Sequence, residues 1–448
     1  MTNATISIPA RDHTQRKKLT SFLVLFVVAL LIGTFLRASL LVIYPFIVLF
    51  IVIFYRFRIT PSFLILVALA GLSFAVSFFG GEFLKYKALS LFYMLPLLLI
   101  LFCNVTPGRD NKTDHLSLYF TCLSIVALVN NVIGFIQIIN NPHSDDSFVG
   151  IYSEFSVSIN GLMLLNSMLF FYYSVNFIAG KKLVHLIPAI FFGASAILGF
   201  YGAGLIILLV AFVLAFFRFR IIAVIRTISI GVAALAIVVL AMYIVKPLVL
   251  EYNIANIKKF LDFNPETGAR KVTSFYNYGI SYPKDAKDFL LGSGPGTFNS
   301  RSAFMVGSPS YFQRAAFIKD EKQPYYFKNF AYSLWNESNT RRDLYQDGFR
   351  NQPFSSVLAF LGEYGLIFTF SFFMLYFMYY QQVARLFYTS AAKKEMFVPF
   401  RVFKFLIIFL PLLLLIDNYY EYPEVMIMFI VAIKFAHARI ESLKLKTA

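Results

Sequence analysis

A glycine-rich turn between two arginines is the part of this sequence best suited to hold an anion. The turn reads Gly292-Ser293-Gly294-Pro295-Gly296, and Arg270 and Arg301 stand on either side of it. Glycine lets backbone N–H groups approach an anionic group closely, and a guanidinium matches two phosphate oxygens at once. The pattern indicates phosphate binding. A plain Gly/Pro turn, with surface arginines paired to Asp285 or Asp288, is the alternative.

A second polar group lies where the chain returns to apolar sequence. Arg342 and Arg350 precede this point, and Glu363 lies about two helical turns beyond it. A glutamate in a membrane helix is costly unless it is paired or lines a wet cavity. Glu363 could pair with a loop arginine and lock the loop over a cavity. It could equally stabilise a helix at the membrane interface.

Aromatic residues are concentrated in the same polar stretch. Flat aromatic faces bind the apolar faces of sugar rings, so Tyr326 and Trp335 are candidate sugar contacts. We favour the other interpretation for most of the group, namely that it forms a small core of its own or rests on the membrane interface. The group comprises Tyr311, Phe312, Tyr325, Tyr326, Phe327, Phe330, Tyr332 and Trp335.

The elements that must position these residues are membrane helices. Of the 448 residues, 59% are hydrophobic and 14% are charged, which is too little polar surface for a soluble domain. The net charge of +17 does not indicate nucleic-acid binding, because most Lys and Arg residues lie in short loops that flank apolar stretches. The two cysteines, Cys103 and Cys122, lie near the ends of neighbouring stretches, and we expect no structural disulfide.

Charge alternates between successive loops, and this alternation predicts an orientation. Positive residues cluster in one set of loops, for example at Lys181-Lys182 and Lys393-Lys394, and the positive set faces the cytoplasm. We therefore expect about twelve spans, with both termini in the cytoplasm. The predicted spans cover residues 19–36, 38–55, 61–79, 87–105, 116–139, 158–178, 183–199, 203–217, 222–245, 354–380, 402–417 and 421–437.

This assignment divides the chain into three parts. Residues 1–245 form a bundle of about nine spans, residues 246–353 form one large external loop with short helices, and residues 354–448 supply about three further spans and a cytoplasmic tail. Hardly any ionisable side chain falls in the middle of a predicted span, which argues against an ion-coupled transporter. No His/Asp cluster with metal-ligand spacing occurs in the sequence, and we expect no metal or other cofactor.

In this architecture the chain resembles the O-antigen polymerase and O-antigen ligase superfamily of bacterial inner-membrane glycosyltransferases. The resemblance rests on an Arg-led helix at Arg270, a Gly-x-Gly-x-Gly-x-Phe turn ending at Phe298, and a Glu-x-Gly-Leu segment at Glu363–Leu366. It implies an all-α integral membrane protein of the GT-C-like kind with one large periplasmic loop.

Two departures from the family pattern matter. Ligases of the superfamily place a His-Asn pair just before the Glu-x-Gly span, where this chain reads Gln352-Pro353-Phe354 without a histidine. The missing histidine favours polymerase over ligase. A Ser-Arg-Gly-like turn between two middle spans reads Gly199-Phe200-Tyr201-Gly202 here, so a diphosphate-binding role does not carry over to Tyr201.

The resemblance implies a polymerase of oligosaccharide repeat units carried on undecaprenyl diphosphate. A hydroxyl of one lipid-linked unit would attack the anomeric carbon of the growing chain, and undecaprenyl diphosphate would leave. Expected partners are undecaprenyl-diphosphate-linked glycans, membrane lipids and a chain-length regulator. Glu363, Glu154 and Asp417 are candidate general bases. The expected catalytic residues are Arg270, Glu363 and Arg350, and the expected substrate-binding residues are Arg301, Arg342, Gly292, Gly294, Gly296, Tyr326 and Trp335.

Two other functions are left open by the sequence. A ligase that moves finished glycan onto lipid A core would share the fold but should carry the histidine. A flippase for lipid-linked oligosaccharides, or another transporter, is the non-enzyme alternative. It should have a central polar or charged cavity and no large folded loop.

The orientation can be tested with reporter fusions that are active only outside the cytoplasm. We expect activity from a fusion at Asn299, in the large loop, and none from a fusion at Lys181 or Lys394, because long loops cross the membrane and positive loops stay inside. An inactive fusion at Asn299 would contradict both the orientation and a reaction on the external face.

Overall fold

The computed structural model describes a helical bundle with a folded loop on one of its ends. The description covers residues 55–78, 83–107, 114–140, 148–152, 160–199, 201–217, 247–262, 268–282, 285–309, 317–335 and 353–445, with isolated positions elsewhere.

Six helices in the described part of the chain are long and apolar enough to cross a membrane, and two shorter apolar helices accompany them. The protein is thus a helical, multi-pass membrane protein. Strands β1 (Tyr55–Arg58) and β2 (Asn104–Pro107) form a small antiparallel pair. The helices are α1 (Pro61–Phe78), α2 (Leu84–Phe102), α3 (His115–Asn140), α4 (Gly161–Gly180), α5 (Leu183–Leu198), α6 (Gly202–Phe216), α7 (Pro247–Leu261), α8 (Arg270–Ile280), α9 (Ala286–Leu291), α10 (Arg301–Gly307), α11 (Ser356–Ala359), α12 (Gly365–Thr389), α13 (Phe397–Ile416) and α14 (Pro423–Leu445).

Nine of the predicted spans coincide with helices of this structure, namely the six helices α1–α6 and the three helices α12–α14. The largest shifts at helix ends are at α12, which continues to Thr389 instead of ending near residue 380, and at α14, which continues to Leu445 instead of 437. The predicted spans at 19–36, 38–55 and 222–245 lie outside the described residues apart from isolated positions.

Helix α14 forms the centre of the bundle. Nearly every residue from Pro423 to Ala438 is buried, and the helix packs against α2, α3, α4, α12 and α13. By contrast, large apolar side chains on the outer faces are exposed, as Ile125 and Val129 are on α3 and Ile187 is on α5. Exposed apolar faces on helices of this length are what a lipid environment requires.

The large loop packs on the end of the bundle where α1, α3 and α13 finish and where α2, α4, α12 and α14 begin. We call this end the loop side. A second apolar core forms there from loop residues such as Phe304 and Phe327 together with Tyr86 of α2. Tyr326 and Trp335 pack against this core and are partly buried, whereas Tyr311 and Phe312 lie outside the described residues.

The chain re-enters the bundle through a sharp change of direction. Helix α11 continues into a π-helical turn at Phe360–Tyr364, and α12 begins at Gly365 with a φ of 83°. Only glycine adopts such a conformation without strain. A Cβ at Gly365 would also lie 2.3 Å from the carbonyl oxygen of Leu290, so the turn is pressed against the end of α9.

Candidate functional site

The glycine-rich turn lies against the loop-side ends of the helices. Gly296 has a φ of 71°, and a Cβ on it would lie 2.2 Å from the carbonyl oxygen of Tyr86. Gly292 packs in the same way against the backbone of Glu363, and Gly294 packs against the side chain of Ser77. The three glycines therefore permit close packing of the loop on α1, α2 and the π-helical turn.

The anion that these backbone N–H groups hold is a carboxylate of the chain itself. Glu363 is 0% exposed. One carboxylate oxygen accepts the N–H of Gly296 at 2.6 Å, and the other accepts those of Phe298 and Ser300 at 3.2 and 2.9 Å. The hydroxyl of Ser90 donates to the Glu363 carboxylate at 3.4 Å. In the described part of the chain, Glu363 is thus bound by backbone N–H groups and a hydroxyl, and not by the loop arginine that the sequence suggested. Glu363 does join loop to helix, although its carboxylate has little remaining capacity for a substrate.

A second buried carboxylate continues the same attachment. Glu421 lies in the short turn between α13 and α14, and its oxygens accept the N–H groups of Arg301 and Ser302 and the hydroxyl of Ser302. Burial raises the pKa of Glu421 to about 8, and the nearby charge of Glu363 acts in the same direction, whereas the donors of Ser302 and Arg301 lower it. Residues 296–302 are therefore attached to the bundle by two glutamates.

Asn299 links this segment to its neighbours. Its side-chain amide donates to the carbonyl of Pro353 at 3.0 Å and to the hydroxyl of Ser274 at 3.2 Å, and it accepts the N–H of Ser355 at 3.1 Å. Asn418 in turn donates to the carbonyl of Asn299 at 2.6 Å. One residue thus connects α8, the start of α11 and the turn before α14.

Arg301 was expected to contact a diphosphate, but it is 3% exposed. Its guanidinium lies over the ring of Tyr422, 4.5 Å from the centroid, and donates to the carbonyl of Glu421 at 3.1 Å. The acids Asp417 and Glu424 lie within electrostatic range of it. Arg301 in this arrangement is an internal counter-charge.

Lys271 and Asp417 extend the group of buried charges. Lys271 is buried and donates to the carbonyl of Ile416. Burial raises the pKa of Asp417, while Lys271, the N–H of Asn418 and Arg301 act in the opposite direction. We call Lys271, Asp417, Arg301, Glu421 and Glu424 the charged row. Arg301 lies within electrostatic or hydrogen-bonding range of Asp417, Glu421 and Glu424, and Lys271 lies within electrostatic range of Asp417.

Glu424 is the member of the charged row without hydrogen bonds. Its side chain is 1% exposed, and neither carboxylate oxygen has a hydrogen-bond partner in the described part of the chain. Tyr152 lies within electrostatic range of it. Buried carboxylates are normally hydrogen-bonded, so this one needs a chemical explanation.

Tyrosines border the charged row on the side of α4–α6. The hydroxyl of Tyr419 lies 3.3 Å from that of Tyr201, which occupies the turn between α5 and α6.

Side-chain amides of α3 bind the segment that contains Tyr152. Gln137 accepts the N–H groups of Val149 and Gly150, and Asn130 accepts that of Ile151. This fixes the position of Tyr152 beside α4.

Arg270 occupies a different environment from Arg301. It is the first residue of α8, it is partly exposed, and one guanidinium nitrogen donates to the carbonyl of Leu334. Ala269 precedes the helix without a side-chain cap. A helix N-terminus carries positive potential and favours negative charge nearby. The Arg270 guanidinium therefore adds positive charge at a helix end that is itself positive.

The remaining sequence predictions have different outcomes. Arg342, Arg350 and Glu154 lie outside the described residues. The hydroxyl of Tyr326 donates to Asp288, and the ring of Trp335 packs edge-on against Phe304 at 5.6 Å. Both aromatic residues therefore belong to the wall of the loop core, with part of each surface exposed.

Sequence reasoning missed the two residues with the strongest structural signals, Glu421 and Glu424. Both stand at the start of the predicted span 421–437, and the sequence pattern assigned neither of them a role. The signal available was their density: three acids, with Asp417, within a turn between two apolar helices. No group of three or more His, Cys, Asp or Glu side chains in the described ranges is arranged to hold a metal ion.

Comparison with known proteins adds no relative. No protein-family model matches the chain, and no curated protein matches it.

The role of Gly296 can be tested against a glycine with free space around it. Gly296→Ala should lower the free energy of unfolding by at least about 2 kcal/mol, because it combines a positive φ with a clash against backbone. Gly279→Ala is the matched control, since nothing lies within 4 Å of its Cβ position in α8, and it should be neutral or stabilising by up to about 1 kcal/mol. Thermal unfolding of the detergent-solubilised variants measures both. Equal melting temperatures for the two variants would contradict the packing described.

The carboxylate of Glu363 should prove structural. Glu363→Gln replaces one acceptor oxygen by an NH₂ group that must face a backbone N–H, which should cost about 1–3 kcal/mol. Glu395→Gln, at an exposed position, should change stability by no more than about 0.5 kcal/mol. Unchanged stability of Glu363→Gln in the same unfolding assay would show that the loop does not depend on this carboxylate.

Proposed function

We propose that this protein polymerises undecaprenyl-diphosphate-linked oligosaccharide repeat units into surface polysaccharide on the external face of the bacterial inner membrane. The family resemblance supplies the reaction. The observation that carries the proposal is the row of buried charges at the loop side of an apolar bundle, held in place by a large folded loop. Such charges are costly in a membrane protein and are characteristic of functional sites.

The position of this site suits a lipid-borne substrate. Undecaprenyl chains remain in the hydrocarbon, so the diphosphate and the sugars must lie at the end of the helices. Arg270 begins α8 in the loop and is partly exposed, and it directly precedes Lys271 of the buried charged row. Arg270 and the start of α8 form the candidate contact for the departing diphosphate, because a guanidinium and a helix N-terminus both stabilise phosphate oxygens.

The chain contributes mainly orientation and electrostatics to the proposed reaction. Undecaprenyl diphosphate is already a good leaving group, so the enzyme must align two sugars and stabilise the charge that develops as the bond to the anomeric carbon breaks. Glu363 and Glu421 fix residues 296–302 on the bundle before any substrate binds. This fixed arrangement supports the proposed role, because polar groups that are already in position need no reorganisation during the reaction. The exposed parts of Tyr326 and Trp335 offer aromatic surface for a sugar ring.

Deletion of the gene distinguishes the proposed polymerase from its alternatives. Loss of a polymerase leaves surface glycan with a single repeat unit on a gel. Loss of a ligase removes all capped lipid A, and loss of a flippase leaves lipid-linked units inside the cell. Only the first outcome, reversed by the restored gene, supports the proposal, and either of the others contradicts it.

Arg270 provides the sharpest test of the diphosphate contact. Arg270→Ala should reduce polymer formation about 100-fold, and Arg270→Lys nearly as much, because an ammonium cannot replace a bidentate guanidinium. Lys287→Ala removes an exposed positive charge from α9 of the same loop and should leave the ladder unchanged. Banding of extracted glycan is the measurement, with membrane levels of each variant matched. A normal ladder from Arg270→Ala would remove this residue from the site.

A further inference from the structure

Among the described residues of the loop side, Glu424 is a buried acid whose side-chain oxygens have no hydrogen-bond partner. Both of these oxygens are themselves buried. Glu363 and Glu421, at the same end of the bundle, each accept several. A carboxylate kept dry and without donors is costly to stability. A substrate hydroxyl group is one donor that could satisfy it.

The surroundings of Glu424 suit an incoming hydroxyl group. Arg301 places positive charge within electrostatic range of the carboxylate and opposes the stronger effect of burial, which disfavours the ionised form. The phenol of Tyr152 also lies within electrostatic range of Glu424. In the turn before α14, the side-chain oxygen of Asn418 is buried and also has no donor among the described residues. Unused acceptors of this kind match a ligand rich in hydroxyl groups.

The other candidate bases are already engaged. Glu363 is bound by three backbone N–H groups. Asp417 accepts the N–H of Asn418 at 2.6 Å and faces Lys271. A base must offer a free lone pair to the proton that it removes. Among the candidates within the described ranges, Glu424 meets this condition.

Building on the proposed polymerase function, we propose that Glu424 is the general base that activates the acceptor sugar. The acceptor hydroxyl gives its proton to a Glu424 oxygen while its own oxygen bonds to the anomeric carbon of the donor. The bond from that carbon to the diphosphate oxygen breaks, and its electron pair leaves with undecaprenyl diphosphate. Glu424 later releases the proton to water. Burial of Glu424 limits a side reaction, because a base open to solvent would activate water, and that water would hydrolyse the donor.

The test uses the purified full-length protein with a synthetic oligosaccharide on undecaprenyl diphosphate. Glu424→Gln should lower polymer formation at least about 100-fold, and Glu424→Asp should retain part of the activity. The melting temperature of Glu424→Gln should equal or exceed that of the wild type, because the change removes a desolvated charge without breaking a hydrogen bond. Glu421→Gln is the structural contrast and should lower the melting temperature, since Glu421 binds two backbone N–H groups.

The pH dependence adds a readout that a structural role would not alter. Wild-type activity should fall on the acid side as the base becomes protonated, and the residual activity of Glu424→Gln should lack this fall. Polymer formation by Glu424→Gln within about twofold of wild type would overturn the assignment while leaving the polymerase function intact. Loss of folded protein in both Glu424→Gln and Glu424→Asp would make the residue structural and also overturn it. A wild-type protein that makes no polymer would remove the polymerase function itself.

Discussion

A buried carboxylate in a membrane protein requires hydrogen-bond donors, and this requirement organises the loop side of the molecule. Glu363 and Glu421 receive their donors from the backbone of residues 296–302. The same hydrogen bonds supply buried N–H groups of this loop segment with acceptors in place of water. These hydrogen bonds favour the attached arrangement, because unpaired buried N–H groups and unpaired buried charges are both costly. The loop and the bundle are thus parts of one folded unit.

The positions of the charged groups follow from this attachment. Arg301 directly follows the residues bound by Glu363, so its guanidinium is brought onto Tyr422 and into range of Asp417 and Glu424. Asn299 links the same segment to α8, which begins with Arg270 and Lys271. Charges from three distant parts of the sequence therefore meet at one end of the bundle. The proposed chemistry depends on this meeting and on the exclusion of water around it.

The sequence predicted the helices better than the contacts between them. Hydropathy alone located α1 to within one residue of its end, because a membrane helix must match the thickness of the hydrocarbon layer. The sequence also indicated that the glycine-rich turn binds an anion through its backbone N–H groups, and that Glu363 joins the loop to the bundle. That the anion is Glu363 itself, more than sixty residues away, was not predictable from local pattern. Glu421 and Glu424 were missed for the same reason, because their roles depend on neighbours over a hundred residues distant.

Hydrogen–deuterium exchange of the wild-type protein tests the attachment of the loop most directly. The amides of Gly296, Phe298 and Ser300–Ser302 are donors to buried carboxylates, so peptides covering residues 296–302 should exchange as slowly as those from the core of α12. Peptides covering residues 393–395, which are exposed, should exchange much faster. Exchange of residues 296–302 at the fast rate would contradict the account, because it would mean that the glutamates do not hold the loop.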